Sequence, residues 1–298
     1  MMLDLWRRIS VFPGHRKTTL ACRDPSAVAG VERRSLCSPL QVGYATDRGR
    51  DRKHNEDSLF FWRSILRRAH DYMPFGLFIV ADGLGGHANG ESASELATHV
   101  VASRVLGEIY LPFLNETEAD ASPAPINEVL ASAVEACNVT VCQRIPGAGT
   151  TLTAMLLMGD TAFFAHVGDS RAYLLSQGKM QQITEDHSLV GRLLEAGAIS
   201  EEEALEHPQR NIIYRSVGQG ENLQADWYTI EMPPDGRILL CTDGLWGSVP
   251  EQEMPQIIVT AANPQEACDR LVDVARQRGS VDDVTIILIE RDRAAHAG

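Results

Sequence analysis

Hydrophobic positions along most of the chain come in short runs, and the period of each run predicts its element. From Gln41 onward the pattern alternates, with Val42, Tyr44 and Thr46 on one face of a strand. Apolar runs at 58–62 and 76–81 predict two more strands, the second bounded by Pro74 and a glycine cluster. Ala93, Leu96, Ala97, Val100 and Val101 recur at helical spacing, which predicts a helix over 91–108. Val129, Leu130, Val134, Cys137 and Val141 do the same within 126–144, after a polar, proline-containing loop at 112–125. Strands follow at 150–158 and 161–167, joined by Gly159-Asp160, a two-residue hairpin signal. Another pair, 172–175 and 180–183, turns through Gln177-Gly178. Residues 188–196 read as a helix closing on Gly197, and Ser200 with Glu203 has capping-box spacing. Strands are expected at 211–217, 226–231, 237–241 and 284–289, and helices at 250–262 and 264–278.

Strands, two helices, strands, two helices and a strand, with many hairpins and few parallel crossovers, describe an α+β domain of antiparallel sheets with helices on their outer faces. The domain is expected to span 41–292, with a short tail at 293–298. Residues 1–40 differ: seven Lys and Arg against three acids, poor periodicity, and prolines at 13, 25 and 39. They read as a basic, disordered extension. The whole chain of 298 residues is 44% hydrophobic and carries a net charge of −13. That charge argues against nucleic acid as a partner. No apolar run is long enough to span a bilayer, and the first twenty residues lack the order of a signal peptide. Six cysteines, at 22, 37, 137, 142, 241 and 268, form no Cys-x-x-Cys pair and sit mostly in apolar segments. Reduced thiols and a cytoplasmic location are expected.

Carboxylates recur where strands end. Asp82 and Asp243 each close an apolar run and precede a glycine; Asp169 ends a third run. The pairs Glu56-Asp57 and Asp282-Asp283 each precede one. Converging carboxylates repel one another and resist ionisation unless a cation neutralises them. Oxygen ligands without a His-Cys cluster select Mg²⁺ or Mn²⁺ over zinc or copper. Two such ions about 4 Å apart activate a water and offset charge on a phosphoryl group, the chemistry of a phosphoryl hydrolase.

The same residues resemble a family. Arg52-x-x-Asn-Glu56-Asp57, Val80-Ala-Asp82-Gly83, Gly149-Thr-Thr-Leu, Val167-Gly-Asp169-Ser-Arg, Asp186-His-Ser, Cys241-Thr-Asp243-Gly and Asp282-Asp283-x-Thr stand in the order of the metal-dependent protein phosphatases, the type 2C Ser/Thr phosphatases, in their bacterial form. The resemblance runs from about 41 to 291. It implies a four-layer αββα sandwich, two antiparallel sheets packed face to face, with a metal cleft at one end. It implies that Asp82 bridges two Mn²⁺ or Mg²⁺ ions, with the Gly83 carbonyl, Asp243 and Asp282 at the first. Asp57, and Glu56 through water, would serve the second; Asp169 with Asp243 would hold a weaker third. Arg52 would bind substrate phosphate, and 188–210 would form a flap beside the cleft. A water bridging the two ions would attack phosphoserine or phosphothreonine directly. The implied partners are phosphoproteins, a cognate Ser/Thr kinase and its targets in signal transduction, with the chain itself a monomer.

Two positions depart from the family pattern. Leu84 stands where many eukaryotic members have a His proposed as general acid, so leaving-group protonation falls to water or another group. Asp283 stands where the family usually has Asn, and solvent exposure is its expected fate. His87 is expected to cap or pack at a helix start, His166 to sit in the core, His187 to play a structural hydrogen-bonding role, and Trp246 to pack in the core. Gly147-Ala-Gly-Thr-Thr lacks the lysine of a P-loop. Two other readings compete: a catalytically dead relative serving as a binding module, and a partner-switching regulator. The full set of acids argues against the first, and the lack of any recognisable sensor segment against the second.

Overall fold

The computed structural model describes residues 40–68, 71–84, 89–114, 125–200, 203–204, 207–209, 212–220 and 222–291. The basic extension up to residue 39, the tail at 293–298, His87 and parts of the expected flap lie outside the described residues.

Three strands open the fold: β1 (Leu40–Asp47), β2 (Asp57–Arg68) and β3 (Asp71–Asp82). Helix α1 (Gly90–Val105) runs through a π-helical turn at Leu106–Tyr110 into α2 (Leu111–Leu114), and α3 (Ile126–Arg144) follows. Next come β4 (Leu152–Met158), β5 (Thr161–Val167), β6 (Arg171–Ser176), β7 (Lys179–Gln182) and α4 (Leu189–Glu195). The chain continues through β8 (Asp226–Glu231), β9 (Arg237–Cys241), α5 (Asp243–Trp246), α6 (Met254–Thr260), α7 (Pro264–Gln277) and β10 (Val284–Arg291).

The strands form two five-stranded sheets, ordered β1-β10-β9-β6-β7 and β2-β3-β4-β5-β8, and every pairing is antiparallel. Side-chain alternation divides the apolar residues among three cores. Phe78 and Val80 of β3 point between the sheets and meet Ile238, Leu240, Ile287 and Ile289. Phe75, Leu77 and Ile79 point the other way, onto Ala97, Val101, Leu130, Val134 and Cys137 of α1 and α3. On the far side, Leu239, Cys241, Ile286 and Leu288 meet Met254, Ile258, Cys268 and Leu271 of α6 and α7. That is the expected αββα sandwich. With helices on one face and a sheet on the other, β4 is buried along its whole length, as a doubly covered strand must be.

Several expectations change. Strands β2 and β3 are twelve residues each and extend well beyond their apolar runs. On β1, Tyr44 is 45% exposed, and Gly43 takes the buried side, where a Cβ would collide with the backbone of Pro264. Residues 211–217 form no strand among the described residues. Ile213 and Val217 make single bridges to Ser188 and Thr150; Ile212 and Tyr214 stay exposed and burial is confined to Ser216 and Val217 at the segment's end, so no sheet covers the segment along its length. Helix α6 starts at Met254, four residues after the expected position. The capping box holds, with Ser200 N–H donating to Glu203 Oε2 at 2.8 Å and Glu203 N–H to Ser200 Oγ at 3.2 Å.

Candidate functional site

One end of the sandwich gathers the acidic strand ends of both sheets. In one sheet Asp57 pairs directly with Asp82, at the start of β2 and the end of β3. Like charges at a directly opposed pair are unfavourable. Asp169 follows β5 in the same sheet. From the other sheet come Asp243 after β9 and Asp282 before β10. Thr242 ties the two sheets together, its hydroxyl donating to Asp57 Oδ2 at 2.8 Å.

The Gly149-Thr150-Thr151 stretch fixes Asp82. Asp82 N–H donates to Thr151 Oγ1 at 2.9 Å, and Thr150 Oγ1 and Thr151 N–H both donate to the Asp82 carbonyl at 2.8 Å. Thr151 Oγ1 also meets Ser170 Oγ at 2.7 Å, joining Asp82 to the loop that carries Asp169. Gly83 is held by its N–H to the Glu56 carbonyl, at 3.0 Å. A Cβ on Gly83 would lie 2.4 Å from the Gly90 oxygen and 2.6 Å from the Glu56 oxygen. Gly90, opening α1, leaves room in turn for the Glu56 carboxyl and the Gly83 carbonyl.

The electrostatics record the crowding. Burial pushes the Asp82 carboxyl well above the usual carboxylate range, and Asp57, Asp243, Asp169 and Asp282 add to the rise. Asp57 is raised by burial, against hydrogen bonds from Thr285 and Thr242. Asp169 is raised by burial and by Asp243. Asp243 is pushed up to about 6 by burial and Asp282, against a hydrogen bond shared with Asp82. The Oδ1 atoms of Asp57, Asp169 and Asp243 are shielded from solvent without a hydrogen-bond partner. Buried acceptors left so are costly. They suit hard divalent cations, which take carboxylate and carbonyl oxygen. Among the described residues, no three His, Cys, Asp or Glu side chains stand as a finished cage.

Arg52 brings the positive charge. It donates to Glu56 Oε2 at 3.1 Å and to Asp282 Oδ1 at 2.6 Å. Asp47 and Asp51, the surface acids near it in sequence, pair instead with Arg276 and Arg50. Asp283 does not face solvent: it is 2% exposed. Its carboxylate accepts from Gly49 N–H at 2.8 Å and from Glu56 N–H at 2.7 Å. It pins the loop that carries Arg52 and Glu56. Sequence reading overlooked this anchor, together with Thr242 and Gly90. Thr242 had a signal, a hydroxyl beside Asp243 at a strand exit.

His166 and His187 are both bound into the fold by hydrogen bonds. His166 is buried, between Thr153 Oγ1 at 2.9 Å and the Glu185 carbonyl at 3.0 Å, and burial pushes it down to about 3. His187 Nδ1 accepts from Gly168 N–H at 3.0 Å, and its Nε2 lies 2.9 Å from Asp226 Oδ2. Trp246 is half-buried and donates its indole N–H to the Asp169 carbonyl at 3.0 Å, which is more than core packing.

Comparison with known proteins places this geometry. The profile of the family described as Protein phosphatase 2C matches residues 49–277. The chain is similar to the serine/threonine phosphatase stp of Listeria monocytogenes serotype 4b, 36% identical over 259 residues, 85% of this chain and 96% of that one. Among solved structures it resembles the Mycobacterium tuberculosis serine/threonine phosphatase PstP/Ppp, with a TM-score of 0.67 at 32% identity over 85% of this chain and 99% of that one. The catalytic domain of PstP in complex with two manganese ions has a TM-score of 0.67 at 31% identity, covering 84% of this chain and 97% of that one.

Proposed function

The chain belongs to the Protein phosphatase 2C family and is a protein serine/threonine phosphatase, and from that premise we propose that it hydrolyses phosphoserine and phosphothreonine by direct attack of a water activated between two Mn²⁺ or Mg²⁺ ions. The observation that carries the reading is the set of solvent-shielded, unpartnered Asp57, Asp169 and Asp243 oxygens at one end of the sandwich. Asp82 would bridge the two ions, with the Gly83 carbonyl, Asp243 and Asp282 at the first and Asp57 at the second. Glu56 would act through water. Asp169 with Asp243 would take a weaker third ion. When bound, the ions supply an acidified water and a counter-charge for the phosphoryl group.

The chain's own residues do the rest. Arg52 offers a planar fork to two phosphate oxygens. Asp283 holds the Arg52–Glu56 loop at the cleft. Leu84 carries no titratable proton, so the leaving alkoxide takes its proton from water or from another group. We take the catalytic domain as 41–292, with 188–210 as its flap. The described cysteines are free thiols, which supports a reducing compartment. No helix among the described residues is long and apolar enough to cross a membrane.

The test is hydrolysis of a phosphothreonine peptide with Mn²⁺, with Mg²⁺ and with EDTA, for the unsubstituted chain, Asp82→Asn and Asp243→Asn. Metal-dependent turnover that falls at least about a hundredfold in both variants is expected, since each removes a metal-holding carboxylate. Most of the turnover surviving at saturating Mn²⁺ would remove these two residues from the site.

A further inference from the structure

Asp169 and Asp243 come from different sheets, yet their carboxylates act on each other: Asp243 is the strongest charge felt by Asp169. Each has an Oδ1 shielded from solvent and without a hydrogen-bond partner. Two acids that repel one another drift apart unless the loops beneath them are tied. Trp246 makes that tie. It sits three residues after Asp243 on α5, so its side chain lies one turn from the carboxylate, on the same face. Its Nε1–H donates to the main-chain carbonyl of Asp169 at 3.0 Å. The bond therefore joins the Asp243 helix to the Asp169 loop.

The indole is itself clamped. The Arg171 guanidinium lies over the ring, 3.7 Å from its centroid. Arg171 is fixed by Asp186 through Nε at 3.0 and 3.1 Å and Nη2 at 2.7 Å, and donates through Nη1 to Tyr173 Oη at 3.0 Å. Gln182 Nε2 holds Asp186 from the other side at 3.1 Å. A tryptophan that merely filled space would need neither a directed N–H bond nor a stacked cation locked by its own carboxylate. We propose that Trp246 is a positioning residue that sets the separation of Asp169 and Asp243, and so the affinity for the divalent ion these two acids share. This rests on the reading above that the pair can hold such an ion.

The test is Mn²⁺ binding to the full chain by titration calorimetry, for the unsubstituted protein, Trp246→Phe and Asp169→Asn, with melting followed in EDTA. Trp246→Phe keeps an aromatic ring under Arg171 and loses the N–H together with part of the indole's bulk. Its weakest Mn²⁺ site is expected to bind about three- to tenfold less tightly, the size of one lost hydrogen bond. The tighter sites and the melting temperature in EDTA are expected to stay near those of the unsubstituted chain. Isotherms of Trp246→Phe and the unsubstituted chain that superimpose would overturn the proposal. So would a fall in melting temperature with all Mn²⁺ sites weakened alike, the mark of a purely structural residue. An unsubstituted chain that binds no Mn²⁺ would instead defeat the proposed function itself, and this inference with it. If Trp246→Phe does not fold, tryptophan fluorescence decides. Mn²⁺ is expected to quench the unsubstituted chain in a weak phase that Asp169→Asn lacks, and an identical quench in both would overturn the proposal.

Discussion

Arg52 touches two acids of the site, Glu56 at 3.1 Å and Asp282 at 2.6 Å, and both contacts hold it charged. It therefore stands beside the acids of the proposed site, and a phosphate arriving there would meet its guanidinium. Arg52→Ala is expected to raise KM for a phosphothreonine peptide about ten- to a hundredfold, the range of one charge-assisted contact, with kcat nearly kept. Because the substitution also frees Glu56 and Asp282, the Mn²⁺ concentration needed for half-maximal rate is not expected to rise. Steady-state kinetics at saturating Mn²⁺ checks both; an unchanged KM would take Arg52 away from the phosphate. The placement of Arg52 beside Glu56 was visible in the sequence because it stands four residues before it. That of Asp283 was not. Its two N–H partners belong to residues 49 and 56, more than two hundred positions away, and nothing local marks such a bond. A separation of 77 positions hid the Trp246–Asp169 bond in the same way.

The elements that carry the site were legible because strand ends announce themselves. An apolar run closing on Asp82 or Asp243 and then glycine marks both the end of a buried strand and the start of a loop. The Gly159-Asp160 hairpin fixed the neighbourhood of β4 and β5 in the same way. The far ends of β2 and β3 were not legible, since Arg63 at 63 and the polar residues after it break the apolar run while the backbone ladder continues to Arg68 and Asp71. The segment 211–217 misled for the opposite reason, because its apolar residues Ile212 and Tyr214 stay exposed while Val217 alone among them is fully buried, and single bridges take the place of a ladder. A tight junction lies between the end of β3 and the start of α1. Gly83→Ala would place a methyl 2.4 Å from Gly90 oxygen and 2.6 Å from Glu56 oxygen, backbone on both sides. Overpacking of this kind costs about 1–3 kcal/mol. A melting temperature lowered accordingly in EDTA, and a larger Mn²⁺ requirement in the assay, are the expected results. Behaviour like the unsubstituted chain in both would show that the junction yields easily.

At the scale of the whole molecule, the three cores make a frame that holds like charges together at one end, and pH reads out how they are compensated. Without cations, Asp57, Asp82, Asp169 and Asp243 have folded pKa values above their ordinary 3.8, Asp243 at about 6. The folded state then binds more protons than the unfolded one. These groups favour folding most at low pH, and that contribution is lost as pH rises through their folded values. Buried His166 works in the other direction. Its folded value of about 3 lies below the ordinary 6.5, so its contribution is full above 6.5 and is lost as pH falls. A difference between melting curves with and without metal cancels the histidine part and isolates the acids. Cations bind only the ionised carboxylates, and binding to the folded state stabilises it in proportion to the logarithm of saturation. The most direct measurement is the melting temperature of the full chain from pH 5 to 8, in excess Mn²⁺ and in EDTA, with Asp82→Asn alongside. The gap between the two curves is expected to widen as pH rises through about 6, and to shrink sharply in Asp82→Asn. Curves that run parallel across the range, or a gap untouched by Asp82→Asn, would contradict the assignment of these acids as the metal site.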